Sequence, residues 1–264
     1  MSDGGEGWQA YVADFHARRP GITELVLAHT DAGGINPYEW MSEPIPRRGA
    51  VLDLACGSAP LFDLWPSQWA GVDRSTAELR LAIERGATTA AVGDATAVPW
   101  RAQSFDAVAC AMGLMLFQPI ENALAEVVRL LRPGGVLTAL VPAKRPLRTI
   151  DRARYARLLV ALRRRRFEYP NNVARSRWTS LLRSAGLEPV DDESRRFSCH
   201  IATPEIARLC VTSLYLPGLD DEHLGRGIRV AERWVGKVLG LPLRRLVARR
   251  PHAEDAGAVQ GGPG

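Results

Sequence analysis

Three aspartates, Asp53, Asp73 and Asp94, each close a short apolar run, and they follow one another at intervals of 20 and 21 residues. A carboxylate fixed at the end of a buried run is an acceptor held in place. It can take the two hydroxyls of a diol, a proton of an exocyclic amine, or a cationic group. The stretch after the first acid, Ala55-Cys56-Gly57-Ser58-Ala59-Pro60, is built of small residues, so the backbone can approach a ligand closely. A helix N-terminus beyond it would favour a negatively charged group. This is the chemistry of holding a polar, hydroxyl-bearing ligand, and no acid–base pair stands beside it in the sequence.

Such acids need strands that end together. The runs at 51–54, 69–73, 90–95, 105–111 and 136–141 are short and apolar, as buried parallel strands are. A helical pattern continues from the fourth run through Leu131 and breaks at Arg132-Pro133-Gly134-Gly135. In a doubly wound sheet, ligands bind outside the carboxyl ends of the strands, where these three aspartates fall.

The segments VLDLACGSAP, GVDRS, GDATAVPW, SFDAVACAM and LRPGGVL, in that order, resemble the class I S-adenosylmethionine-dependent methyltransferases, in the small-molecule branch called methyltransferase type 11. The resemblance covers residues 45–145 well and the remainder loosely. It implies an α/β fold: a Rossmann-like seven-stranded, mostly parallel sheet with an antiparallel last strand, and helical lid elements at the N-terminus and after the fifth strand. It implies S-adenosyl-L-methionine as cofactor and S-adenosyl-L-homocysteine as product. Asp53, Ala55 and Gly57 would border the methionine part, Asp73 would take the ribose hydroxyls, and Asp94 with the Ala95 backbone would meet the adenine. The backbone at Ala111 and Met112 would face the amino group and the methyl. Cys56 and Arg74 belong to the same expected cofactor-binding set.

At the three alternate places where that family's turn is commonly glycine, this chain has Ala55, Gly57 and Ala59. Either the two alanines are ordinary in backbone, or the cofactor is held less well, because alanine is strained at positive φ. A nicotinamide-dinucleotide fingerprint would need glycines at Ala55, Gly57 and Pro60, and two of the three fail. Methyltransferases of nucleobase or glutamine amino groups carry an Asn/Asp-Pro-Pro-aromatic motif after the fourth strand. Met112-Gly113-Leu114-Met115-Leu116-Phe117 has none of it, which argues against exocyclic-amine methylation of bases.

The substrate pocket is expected from Tyr38 and Trp40, within a loop over 31–40, and from Met115 and Phe117; core packing is the alternative for all four. Among His16, His29 and His200, the general-base candidate is His29, beside the expected lid.

The 264 residues suit a single domain over 8–250: a helical cap at 8–48, a cofactor-binding core at 49–143, and lid helices with the rest of the sheet at 144–250. Residues 1–7 and 251–264 are expected to be disordered. Helices are expected at 8–17, 22–28, 150–167 and 178–185, with amphipathic stretches at 204–214 and 222–239. Strands are expected from Leu187 and over 197–202 and 243–248. Cys56, Cys110, Cys199 and Cys210 show no metal-binding spacing and read as buried thiols, so no metal is expected. With no long apolar run and no signal pattern, a cytoplasmic protein is expected.

The net charge is +5, but residues 144–166 hold ten basic residues and one acid, leaving −4 for the rest. Nucleic-acid binding over the whole surface is thereby disfavoured. The patch itself reads as a solvated helix face, a surface for an acidic partner such as a carrier protein or an anionic membrane, or an RNA contact. The expected function is methyl transfer to O, N or C of a small organic metabolite, in biosynthesis. RNA methylation through the Arg-rich helix 150–167 stays open, as does a non-transferring cofactor-binding or cyclising role, prompted by Ala55 and Ala59. Oligomeric state is left open.

Overall fold

The computed structural model describes residues 3–171 and 177–252. The chain opens with α1 (Asp3–Arg18), α2 (Ile22–Ala28), a two-residue strand β1 (Thr30–Asp31) and α3 (Pro37–Ser42). The doubly wound part follows as β2 (Val51–Leu54), β3 (Trp69–Asp73), α4 (Thr76–Glu84), β4 (Ala90–Val92), β5 (Phe105–Ala111), α5 (Ile120–Leu130) and β6 (Leu131–Pro142). Then come α6 (Thr149–Ala161), α7 (Trp178–Ser184), β7 (Glu188–Ile201), α8 (Pro204–Thr212), α9 (Asp221–Glu232) and β8 (Lys237–Arg249).

One sheet of order β1-β7-β8-β6-β5-β2-β3-β4 contains every strand among the described residues. β2 pairs in parallel with β3 and β5, β3 with β4, and β5 with β6, while β8 is antiparallel to both β6 and β7. The expected sheet with its antiparallel last strand is therefore present, extended by an eighth strand, β1, antiparallel to the edge of β7.

Alternation sorts the core. Val51, Ala107 and Ala109 pack on one face with Tyr38, Trp40 and Phe197, while Leu52, Leu54, Val108 and Cys110 pack on the other. α5 covers that second face with a clean helical stripe, Ile120, Ala123, Leu124, Val127 and Leu130. Beyond the carboxyl ends of β6 and β7, α6, α8 and α9 build a cap around a small core of their own that includes Leu158, Leu162, Val211, Ile228 and Trp234.

Several boundaries differ from the sequence expectations. α1 begins at Asp3 rather than at Trp8. The 31–40 stretch is not all loop: Asn36 caps α3, accepting from the amides of Tyr38 and Glu39, while the Glu39 carboxylate takes the Asn36 amide. The arginine-rich helix stops at Ala161, because Arg163 turns left-handed (φ 48°) and the four arginines 163–166 leave the axis. The 222–239 stretch divides into α9 and the start of β8, with Gly236 (φ 77°) between them. The expected disorder at residues 1–2 and 253–264, and Asn172 at the expected end of the 150–167 helix, lie outside the described residues. All four cysteines are buried free thiols, and the sulfurs of Cys199 and Cys210 lie 3.5 Å apart. Among the described residues no helix is long and apolar enough to cross a membrane.

Candidate active site

At the carboxyl ends of β2, β3, β4 and β5 lies a cavity of about 390 Å³, closed over by α1 and the start of α4. All ten expected cofactor residues line it: Asp53, Ala55, Cys56, Gly57, Asp73, Arg74, Asp94, Ala95, Ala111 and Met112. The sheet brings them together by ending its strands at one edge.

Each aspartate is held differently. Asp73 accepts the Gly57 amide on Oδ2 (2.9 Å) and the Ser75 amide on Oδ1 (2.8 Å), which leaves acceptor capacity on both oxygens. Burial pushes its carboxyl up, against those two amides. Asp94 binds the Thr96 amide and hydroxyl at 2.8 and 2.7 Å and lies 3.5 Å from the Arg74 guanidinium. Burial raises its carboxyl, but the Thr96 groups and Arg74 outweigh that and hold it below the usual carboxylate range. Asp53 is 1% exposed; Trp69 Nε1 donates to its Oδ2 at 3.3 Å and its Oδ1 has no partner. Burial, reinforced by the charge of Asp73, pushes this carboxyl up to about 7. An orphaned buried carboxylate oxygen is costly unless something binds it.

The turn after β2 answers the question its alanines raised. Ala55, Gly57 and Ala59 have φ of 59°, 54° and 60°, so all three places are left-handed and the alanines are not ordinary in backbone. Met112, at the end of β5, is left-handed too (φ 59°), and its amide is committed to the Leu140 carbonyl at 2.8 Å. Strained backbone clusters here, as it does at sites that must be shaped before a ligand arrives.

Of the expected pocket residues, Tyr38 and Phe117 line the cavity and Trp40 and Met115 do not. Trp40 is fully buried against Phe197, with the guanidinium groups of Arg195 and Arg245 over its ring, and Met115 is equally buried in the core. His29 is exposed at the end of α2 and lies outside the cavity, as does His200, 3.5 Å from Asp31.

The histidine on the cavity wall is His16. Its Nδ1 lies 2.7 Å from Glu78 Oε1 and its Nε2 lies 2.8 Å from the Tyr215 hydroxyl, and all three residues line the cavity. Sequence reasoning missed Glu78 and Tyr215. Glu78 carried a signal, standing three residues after the helix-capping Ser75, but no local pattern joins Tyr215 to His16 across 199 residues.

Residues 52–139 match the family model described as a methyltransferase domain. The demethylmenaquinone methyltransferase of Thermobifida fusca is 32% identical over 111 residues, 39% of this chain and 47% of that protein. The 2-phytyl-1,4-naphtoquinone methyltransferase of Thermosynechococcus vestitus is 33% identical over 107 residues, 37% of this chain and 47% of that one. The chain thus spans about half the length of the curated relatives it matches. Among solved structures, the [4+2]-cyclase SpnF superposes with a TM-score of 0.52 at 21% identity, over 82% of this chain and 80% of that one. Residues 52–139, a third of the chain, are thus similar to the methyltransferase domain family, and they lie on a doubly wound sheet whose strand ends gather the three aspartates around one cavity.

Proposed function

We propose that the chain transfers a methyl group from S-adenosyl-L-methionine to a small aromatic acceptor bearing a ring hydroxyl. The observation that carries the cofactor is the arrangement of Asp53, Asp73 and Asp94 around one cavity, with Asp53 Oδ1 left unpartnered. Those residues fit the cofactor's chemistry. The orphaned Asp53 oxygen suits an ammonium, the free lone pairs of Asp73 suit a ribose diol, and Asp94 suits an amine at the cavity's edge. Alanine methyls at positions 55 and 59 do not block this, since Ala59 is turned into the core at 0% exposure and Ala55 only borders the cavity.

When bound, the cofactor supplies a methyl already activated on a sulfonium sulfur. The protein's remaining work is to align the acceptor and keep water away. Val12, Tyr38, Leu116, Phe117 and Tyr215 give the cavity apolar and aromatic wall suited to a flat ring. The relatives named for demethylmenaquinone and 2-phytyl-1,4-naphtoquinone support that acceptor class.

Calorimetric titration with S-adenosylmethionine and S-adenosylhomocysteine tests the reading. Binding to the intact chain should weaken on Asp73→Ala by about 1.5–3 kcal/mol, the scale of hydrogen bonds to a charged group. No binding to the intact chain would defeat it and bring forward a non-transferring role for the same fold.

A further inference from the structure

The cavity holds one polar construction that binding of the cofactor leaves unexplained. Glu78, 3% exposed, accepts the Gly21 amide on Oε2 (2.8 Å) and meets His16 Nδ1 through Oε1. For a neutral imidazole facing an ionised Glu78, which only accepts, the ring proton sits on Nδ1 and Nε2 is an acceptor. In that tautomer the Tyr215 hydroxyl, 2.8 Å from Nε2, is the donor. The phenol ring is fixed against Phe15, with centroids 4.8 Å apart, and touches Tyr11 and Tyr169 edge-on.

Resting on the methyl-transfer reading, we infer that Tyr215 and His16 relay a proton away from the acceptor's ring hydroxyl, with Glu78 positioning the imidazole. The ring O–H bond breaks and its electron pair stays on the ring oxygen. That proton goes to Tyr215 Oη as the hydroxyl's own proton goes to His16 Nε2, and the resulting imidazolium faces the Glu78 carboxylate. One proton leaves the acceptor, and His16 returns it to water after turnover. The step serves transfer to the oxygen or to a ring carbon made nucleophilic by it.

Asp53, the one other cavity-lining acid among the described residues with an unpartnered oxygen, is given to the cofactor's ammonium in the methyl-transfer reading, and the remaining acids already hold partners. Asp73 holds two amides, Asp94 holds Thr96, and Glu24 holds Ser58 Oγ at 2.5 Å and the Arg85 guanidinium. Burial, then the neighbouring Tyr169 and Glu78, pushes the Tyr215 hydroxyl up, so it rests as a neutral phenol and passes protons rather than storing a charge. The titratable groups facing the pair are Glu78 from α4, Asp73 from β3, Tyr11 from α1, and Tyr169.

The test uses Tyr215→Phe and His16→Gln, with 1,4-dihydroxynaphthalene as acceptor, and reads binding, proton position and rate separately. Both variants should bind S-adenosylhomocysteine within about threefold of wild type, a difference of well under 1 kcal/mol. In that complex, nitrogen-15 shifts of wild-type His16 should show Nδ1 protonated and Nε2 bare. Methyl transfer near pH 7 should fall roughly hundredfold or more in both variants. The deficit should shrink as pH rises into the range where the hydroxynaphthalene ionises unaided. A protonated Nε2 in the resting complex, an unchanged rate in Tyr215→Phe, or a deficit equal at every pH overturns the relay and leaves only a tie holding α1 down. A wild-type chain that binds S-adenosylhomocysteine yet leaves this acceptor unmethylated overturns it as well, since the relay commits to a ring hydroxyl. Failure to bind S-adenosylhomocysteine instead defeats the underlying methyl-transfer reading.

Discussion

Ala55 and Ala59 sit at φ 59° and 60°, where an L-residue with a Cβ is less stable than glycine by about 1 kcal/mol. Their surroundings differ, and so should their responses. Ala55 borders the cavity, so Ala55→Gly removes the strain and gives up little packing. It should raise stability by about 1 kcal/mol, or 2–4 °C in melting temperature for a chain of this size. Ala59 is 0% exposed, and losing its methyl forfeits about 0.8 kcal/mol of burial, so Ala59→Gly should be close to neutral. Thermal melts of the two variants check this, and equal gains would show that packing at Ala59 is unimportant. At this scale the sequence was most legible where chemistry follows a strand: an acid at the end of an apolar run marks its own place. His16, Glu78 and Tyr215 had no such mark, because the contact that unites them is made by tertiary packing of α1, α4 and the segment after α8.

The elements show why local signals can point two ways. Asn36-Pro37 reads as a turn, yet the same pair is an N-cap followed by proline at the first helical position, and here it starts α3. Only the partners decide: Glu39 closes the capping box, and Arg245 of β8 holds the helix to the sheet by reaching the Trp40 carbonyl (2.7 Å) and Glu43 (2.6 Å). Asn36→Ala should cost about 1 kcal/mol, lowering the melting temperature by about 2–4 °C, while Asn36→Asp, which keeps the accepting oxygen, should stay close to wild type. An equal loss in both would mean that the cap contributes through something other than its acceptor. The premature end of α6 has a similar lesson. Leu162 and Phe167 continue an apolar pattern, but the chain turns at Arg163 so that Arg164 can donate to the Pro217 carbonyl, a contact invisible to periodicity.

Across the whole molecule, the succession of β2, β3 and β4 could be read from the spacing of the acids at their ends, whereas β1, only two residues long, offers no pattern and exists through its pairing with Ser198 and Cys199. The charge balance likewise needs the assembled molecule. Asp151, the one acid among the ten cations of 144–166, is fully buried and bound by Arg196 at 2.7 Å and by the Gly240 amide at 2.8 Å, which ties the cap to the sheet. Burial raises its carboxyl, but Arg196 and the amides hold it below the usual range, and Asp94 and Asp106 are lowered as well. Such groups stabilise the fold above about pH 4, and their contribution is lost as pH falls through their folded values. Asp53 acts in the opposite sense. With its carboxyl pushed up to about 7, the native state keeps a proton that the unfolded chain gives up near pH 4. Stability should therefore decline as pH rises from about 4 to 7, by up to about 4 kcal/mol from this group alone. The two trends together place the stability maximum between about pH 4 and 5. Asp53→Asn should abolish the alkaline decline, melting higher than wild type at pH 8, and leave the acid limb alone. If the Asp53 oxygen faces the cofactor's ammonium, wild-type affinity for S-adenosylmethionine should rise with pH through about 7 while stability falls, and the variant should lose that rise. Melts and titrations at pH 5 and pH 8 separate the two effects, and a wild-type melting temperature that does not fall between them would show that Asp53 is already ionised in the free protein.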